Sequence, residues 1–168
     1  MLRATRLSIV VLTFANWVAI AFFTLTVLCV LLDVPLAADR VKRVALPGNA
    51  DTLKQIVVTI LLIGITTSVA VDRIFRQILC ILDSVVAGQP FVSANGSRLR
   101  AMAWYLLVIQ ILDTGFAFAI RTINHLVNHA PFGWGPSATG WIAILLLFVL
   151  AHVFTQGAAM QDELEGTV

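Results

Sequence analysis

Charge is what this sequence has least of: among 168 residues only 12% are Asp, Glu, Lys or Arg, while 60% are hydrophobic. A soluble domain carries about a quarter charged residues, because its surface has to be wetted. A fully water-exposed surface is therefore excluded, and a mean hydropathy of +0.96 points to hydrocarbon as the solvent. Clustered cations are missing too. The net charge is +2 and no basic run exceeds Arg40, Lys42 and Arg43, which argues against direct binding of nucleic acid. The two cysteines, Cys29 and Cys80, fall in separate apolar segments with no CxxC spacing, so neither a disulfide framework nor a zinc site is expected. Both read as small buried apolar residues. There is no Gly-rich phosphate loop, no GxSxG elbow, no nucleophile beside a base, and no internal repeat. No catalytic residue, cofactor or metal is expected, and the chain is not read as an enzyme.

What is present is apolar runs of membrane length. Leu7 to Leu32 contains no charge, and about 20 apolar residues suffice to cross a bilayer. A signal peptide would fit Arg3 and Arg6 in front, but its apolar core is only about 7 to 15 residues, so a retained span is expected. Asp33 to Asp51, with Pro35, Pro47, Gly48 and alternating charges, reads as a loop. A second span, 53–71, follows if the Lys54 ammonium snorkels to the interface. Its small residues Gly64, Thr66, Thr67 and Ser68 suit close approach to another helix.

Between Asp72 and Ala87 the pattern turns amphipathic. Ile74, Phe75, Ile78, Leu79, Leu82, Val85 and Val86 recur at helical spacing, with Asp72, Arg73, Arg76, Gln77, Asp83 and Ser84 opposite. Such a helix lies in the interface, packs on the spans, or binds a partner. Gly88-Gln89-Pro90-Phe91 should end it in a tight turn. Phe91 is expected on apolar neighbours, and Ser93 or Asn95 is placed to cap the next helix. A third span covers 101–120, with Gln110 and Asp113 on one face and Arg121 at its end. A polar stretch broken by Pro131, Gly133, Gly135 and Pro136 leads to a fourth span, 140–159, flanked by Trp134 and Trp141. An acidic tail with Asp162, Glu163 and Glu165 follows. The expected fold is thus a single all-α transmembrane domain of four spans over 1–168, with an amphipathic interfacial helix between spans two and three.

Four spans put both termini on one side. That side carries Arg3, Arg6, Arg73, Arg76, Arg98 and Arg100; the other carries Arg40, Lys42, Arg43, Lys54 and Arg121. The difference is nearly no signal under the positive-inside rule. Cytoplasmic termini are still favoured, because the arginines flanking spans two and three lie close to the hydrocarbon.

Three patterns carry a resemblance. They are Gly88-Gln89-Pro90-Phe91 with Asn95 and Arg98-Leu99-Arg100, the preceding Ser84-Val85-Val86-Ala87, and Val153-Phe154-Thr155-Gln156-Gly157-Ala158-Ala159-Met160-Gln161 before an end in Thr167-Val168. Together they resemble the bacterial membrane proteins of domain of unknown function family 2975. Met160 stands where Leu is common. The resemblance implies a four-helix protein of the bacterial inner membrane, with the loop between spans two and three and the tail in the cytoplasm. It also implies an association with a small helix-turn-helix regulator of the Cro and cI type, and it supplies no activity.

Two constellations are candidates for function. Asp113 is costly inside a span, and so would face a partner, a cavity or other helices. It could form a proton or cation site with Gln110, joined by Asn16 or His152, or it could serve as polar glue between helices. The other candidate is a partner-binding face built from Arg73, Arg76, Phe91, Asn95 and Arg98. His125 and His129 share metal spacing, but Leu126 stands where a zinc hydrolase needs Glu, so they read as interfacial loop residues. The leading expectation is a membrane anchor for the soluble regulator, with the lipid bilayer and a homo-oligomer as further partners. The alternative is a small transport bundle using Asp113.

Overall fold

The computed structural model describes residues 2–45, 49–126, 135 and 137–165. Pro47, Gly48, His129, Pro131, Gly133, Trp134, Pro136, Thr167 and Val168, which figured above, lie outside the described residues. Among those described, every regular element is a helix: α1 (Leu2–Leu31), α2 (Pro35–Val44), α3 (Ala50–Val86), α4 (Ser93–Leu126) and α5 (Ala138–Glu165). All but α2 are long and apolar enough to cross a membrane, which makes this a multi-pass membrane protein.

Two elements differ from expectation. The stretch after the first span contains a ten-residue helix, α2. Pro35 starts it at the first helical position, where a missing N–H costs nothing, and Lys42 and Arg43 sit in its last turn, where cations favour the dipole. The amphipathic segment, in turn, is no separate element. It continues the second span without a break in one 37-residue helix, about 55 Å long. No Gly or Pro interrupts it between Ile65 and Ala87, so nothing in its backbone chemistry would stop it.

The chain packs as two compact units. One comprises Met1–Asn16, Ala70–Ile109 and Ser137–Val168. Its core is Leu99, Met102 and Ala151, against which Ile74, Ile78, Ile81, Leu147 and Phe154 pack. Ile74 and Ile78 of the amphipathic segment are thus covered by α4 and α5. Trp104 meets Phe148 edge-on, with centroids 5.6 Å apart. The other unit comprises Trp17–Val69 and Gln110–Pro136. There Gly64 lets α3 approach the Phe23 ring: a Cβ at Gly64 would stand 3.2 Å from it. Just past α1, Asp33 adopts φ +50, and its carboxylate accepts a 2.6 Å bond from Lys54.

Six threonines within the spans need no water. The hydroxyls of Thr13, Thr24, Thr26, Thr59, Thr66 and Thr155 each donate to the carbonyl four residues earlier, at 2.8–2.9 Å. Thr66 is therefore exposed without penalty, although the sequence placed it against another helix.

The turn between α3 and α4 has the geometry that its glycine suggests. Gly88 has φ +76, its N–H donates to Val85 O, and the Gln89 N–H donates to Ser84 O. This is a Schellman motif. With Ala87 N–H on Asp83 O, three of the last four carbonyls of α3 are satisfied. A Cβ at Gly88 would meet nothing within 4 Å, so only its backbone conformation is at stake. Gly88→Ala should lower stability by about 1–2 kcal/mol, and Gly88→Asn by less. Denaturation midpoints in detergent micelles check both.

Candidate functional site at the helix hairpin turn

The first unit contains the largest fully buried side chain among the described residues, Asn95, at 0% exposure. A carboxamide offers two donors and an acceptor, and burial demands that they be used. All are used. Asn95 Nδ2 donates to Ser84 Oγ at 2.7 Å and to Pro90 O at 2.9 Å, and its Oδ1 accepts from Arg98 Nη1 at 2.8 Å. Ser84 Oγ in turn donates to Ile81 O at 2.7 Å, and Arg98 Nη1 also donates to Cys80 O at 3.0 Å. One side chain therefore ties the end of α3, the turn and the start of α4 together. Asn95 lies in the third position of α4, and its carboxamide is committed to these bonds, so it is a clip and not a cap.

Close packing completes the site. Gly96 is buried against α5, and a Cβ there would run into Thr155 Oγ1 with Ala151 O at 3.2 Å. The Phe91 ring lies 5.4 Å from that of Phe154 and covers Gly157. Its outer side stays open at 47% exposure, and Val85 and Val86 beside the turn are exposed as well. The tip thus has a polar interior and an apolar outside, where Val85 and Val86, the last residues of the amphipathic stripe, are open.

The other candidate residues lie elsewhere. Arg76 Nε donates to Asp72 Oδ2 at 2.8 Å, yet its side chain is 61% exposed, and Arg73 is exposed as well. Asp72 is 5% exposed, and its Oδ1 is buried without a hydrogen-bond partner. The sequence put Asp72 on a polar outer face. Eleven residues span three turns plus about 20°, so Asp72 shares a helical line with Asp83. That line turns toward α1, since Asp83 pairs with Arg6 at 3.6 Å. Counted along α3, Arg76 and Arg73 lie about 10 and 15 Å from Asp83, and about 18 and 22 Å from Gly88 in the turn. They are therefore not brought together with Phe91, Asn95 and Arg98.

What surrounds the two arginines decides their solvent. Ile74 and Ile78 pack level with Leu147 and Ala151, and α1 runs from Arg6 into its charge-free stretch. Five large apolar side chains are exposed there on α1 (Leu7, Val10, Val11, Leu12, Phe14) and five on α5 (Leu145, Leu146, Val149, Leu150, Val153). At about 1 kcal/mol for each half-exposed side chain, leaving all ten in water would cost roughly 10 kcal/mol. Two cations in the middle of a span cost about 5–7 kcal/mol at about 2.5–3.5 kcal/mol each. The apolar surface outweighs both cations, which favours hydrocarbon at this level of α3.

In the second unit Gln110 is buried, Asp113 is half-buried, and both are bonded within the protein. Thr114 Oγ1 donates to Gln110 O at 3.0 Å. Asn16 belongs to the first unit, as does His152, which is exposed, and His125 is an exposed residue near the end of α4. Among the described residues no three His, Cys, Asp or Glu side chains converge as metal ligands.

Comparison with known families returns one match, over residues 7–168, to the family described as protein of unknown function DUF2975. The chain belongs to this family. Its match runs through all four spans and the turn, so the Gly88 to Arg98 segment is part of the family region. A search of curated proteins and one of solved structures each find no significant match.

Two substitutions separate the clip from the packing. Asn95→Ala would strand Ser84, Pro90 and Arg98 and should cost about 1–3 kcal/mol, with faster proteolysis between Gln89 and Phe91. Gly96→Ala should cost about 1–3 kcal/mol through overpacking, and adding Thr155→Ala should recover part of that loss. Unfolding midpoints of the single and double variants measure both.

Proposed function

We propose that this chain is a non-enzymatic membrane protein that holds a soluble partner at the α3–α4 turn. The observation that supports this is the construction of the turn: the Asn95 clip fixes it from within, while Val85, Val86 and Phe91 stay open outside. A preorganised apolar tip is what docking requires, because little side-chain or loop entropy is left to lose. Phe91 is the anchor, an aromatic already seated on Phe154. Asn95 and Arg98 act indirectly by holding it.

The partner we assign is the small helix-turn-helix regulator that the family resemblance brings with it, met on the cytoplasmic side of the bacterial inner membrane. Helix α5 continues past Gly157, where it touches Phe91, for eight more residues to Glu165, about 12 Å. Its acidic end would compete with DNA phosphate for the basic face of such a regulator. Holding the regulator at the membrane then lowers its free concentration by mass action.

Retention is measured as the fraction of co-expressed regulator that pellets with membranes. Phe91→Ala should lower the binding constant about tenfold, as for the loss of one aromatic anchor. Asp113→Asn should leave retention unchanged. The transport alternative predicts the reverse: Asp113→Asn would abolish an ion flux in reconstituted vesicles, and Phe91→Ala would do nothing.

A further inference from the structure

Arg73, Arg76, Cys80 and Asp83 recur at spacings of three, four and three along α3, and all four are exposed. This is the repeat of a helix seam, with 3.5 residues per turn of contact. Asp83 has Arg6 and Arg76 has Asp72. Arg73 has no partner among the described residues. The six threonine hydroxyls described above satisfy themselves within their own helices, so they place no demand on what lies outside. Arg73 does.

A guanidinium cannot shed its proton to escape hydrocarbon. The usual remedy is to snorkel to the headgroups, but here the geometry opposes it. Side chains on a helix lean toward its N-terminus, which on α3 is away from the level of the Arg6–Asp83 pair. Arg76 is held in that direction by Asp72, four residues back. The stripe is flanked by apolar side chains of α1 and α5, so charge marks α3 alone as a face that lipid does not cover well.

We propose that the Arg73–Arg76–Cys80 face of α3 docks a transmembrane helix of another protein, one that brings a carboxylate to the depth of Arg73. Charge complementarity selects this occupant. A second copy inserted in the same direction would set Arg73 against Arg73 across a twofold axis, like charge on like. The soluble partner proposed above meets the turn, about 22 Å from Arg73, so the two contacts are independent and can fail separately.

The native thiol of Cys80 reports on the contact, since it lies one heptad from Arg73 on the same stripe. The full chain carrying Cys29→Ser is reconstituted in phosphatidylcholine vesicles with a synthetic Leu-Ala transmembrane peptide. The peptide carries one Asp at the matching depth and one Cys seven residues away, and is made in both chain directions. Oxidation of the two thiols by oxygen over copper-phenanthroline then captures contact as a disulfide. For at least one direction, the Asp peptide should cross-link at least tenfold more than its Asn and Leu counterparts. Arg73→Leu should remove that preference, and Arg73→Glu should transfer it to a peptide bearing Arg. Equal cross-linking of the Asp, Asn and Leu peptides, or an unchanged preference in Arg73→Leu, overturns the proposal. A Cys80–Cys80 dimer that dominates with and without peptide overturns it too, and assigns the face to a second copy.

Discussion

The Asn95 carboxamide fixes how the two central helices meet. Its three hydrogen bonds reach Ser84 on α3, Pro90 in the turn and Arg98 on α4, so the helices cannot slide without stranding polar atoms. In lipid such atoms find no water to replace the lost partners. Once Ser84 is opposite Asn95, Ile74 and Ile78 reach Met102, and α5 docks through Ala151 and through the close approach at Gly96. The same register carries Asp83 to the start of the first span, where it meets Arg6.

A consequence of that register is the depth of the charged stretch. Hydropathy alone would assign Asp72 to Asp83 to the water side, since it is the most polar part of a long helix. Its neighbours say otherwise, because α1 and α5 present bare Leu, Val and Phe at the same level. The chain answers with a local ion pair, Arg76 on a buried Asp72. Retaining such a pair is weak evidence for stability, because desolvation offsets much of the attraction. Buried polar groups in spans more often mark a site of contact or transfer.

Much of this was legible in the residues. The charge-free run ends at Leu32, one residue past the end of helix α1 at Leu31, and the turn at Gly88 follows from Gly and Pro chemistry that is purely local. The inward set Ile74 and Ile78 was readable from periodicity. Other features were not. Whether a helix stops between Val71 and Asp72 depends on what lies beside it, and a single sequence does not show neighbours. Asn95 looked like a cap because it lies at the start of a helix, whereas its role depends on Ser84 eleven residues earlier. Asp72 appeared solvated because its polarity is visible and the helix covering it is not. The shared hint for both was a polar residue beside small or apolar ones in a chain with few polar residues to place.

The central claim is that α3 remains in hydrocarbon well past Asp72, held there by the clip at its end. A nitroxide moved one residue at a time from Arg73 to Gln89 in full-length protein in vesicles measures this through its exposure to oxygen and to a water-soluble nickel complex. The account predicts that, on the outward positions 73, 76, 80 and 83, oxygen exposure increases and nickel exposure decreases steadily away from the turn. Nickel exposure that stays at the level of the turn through Arg73 would contradict it, and would return this half of α3 to the water side of the membrane.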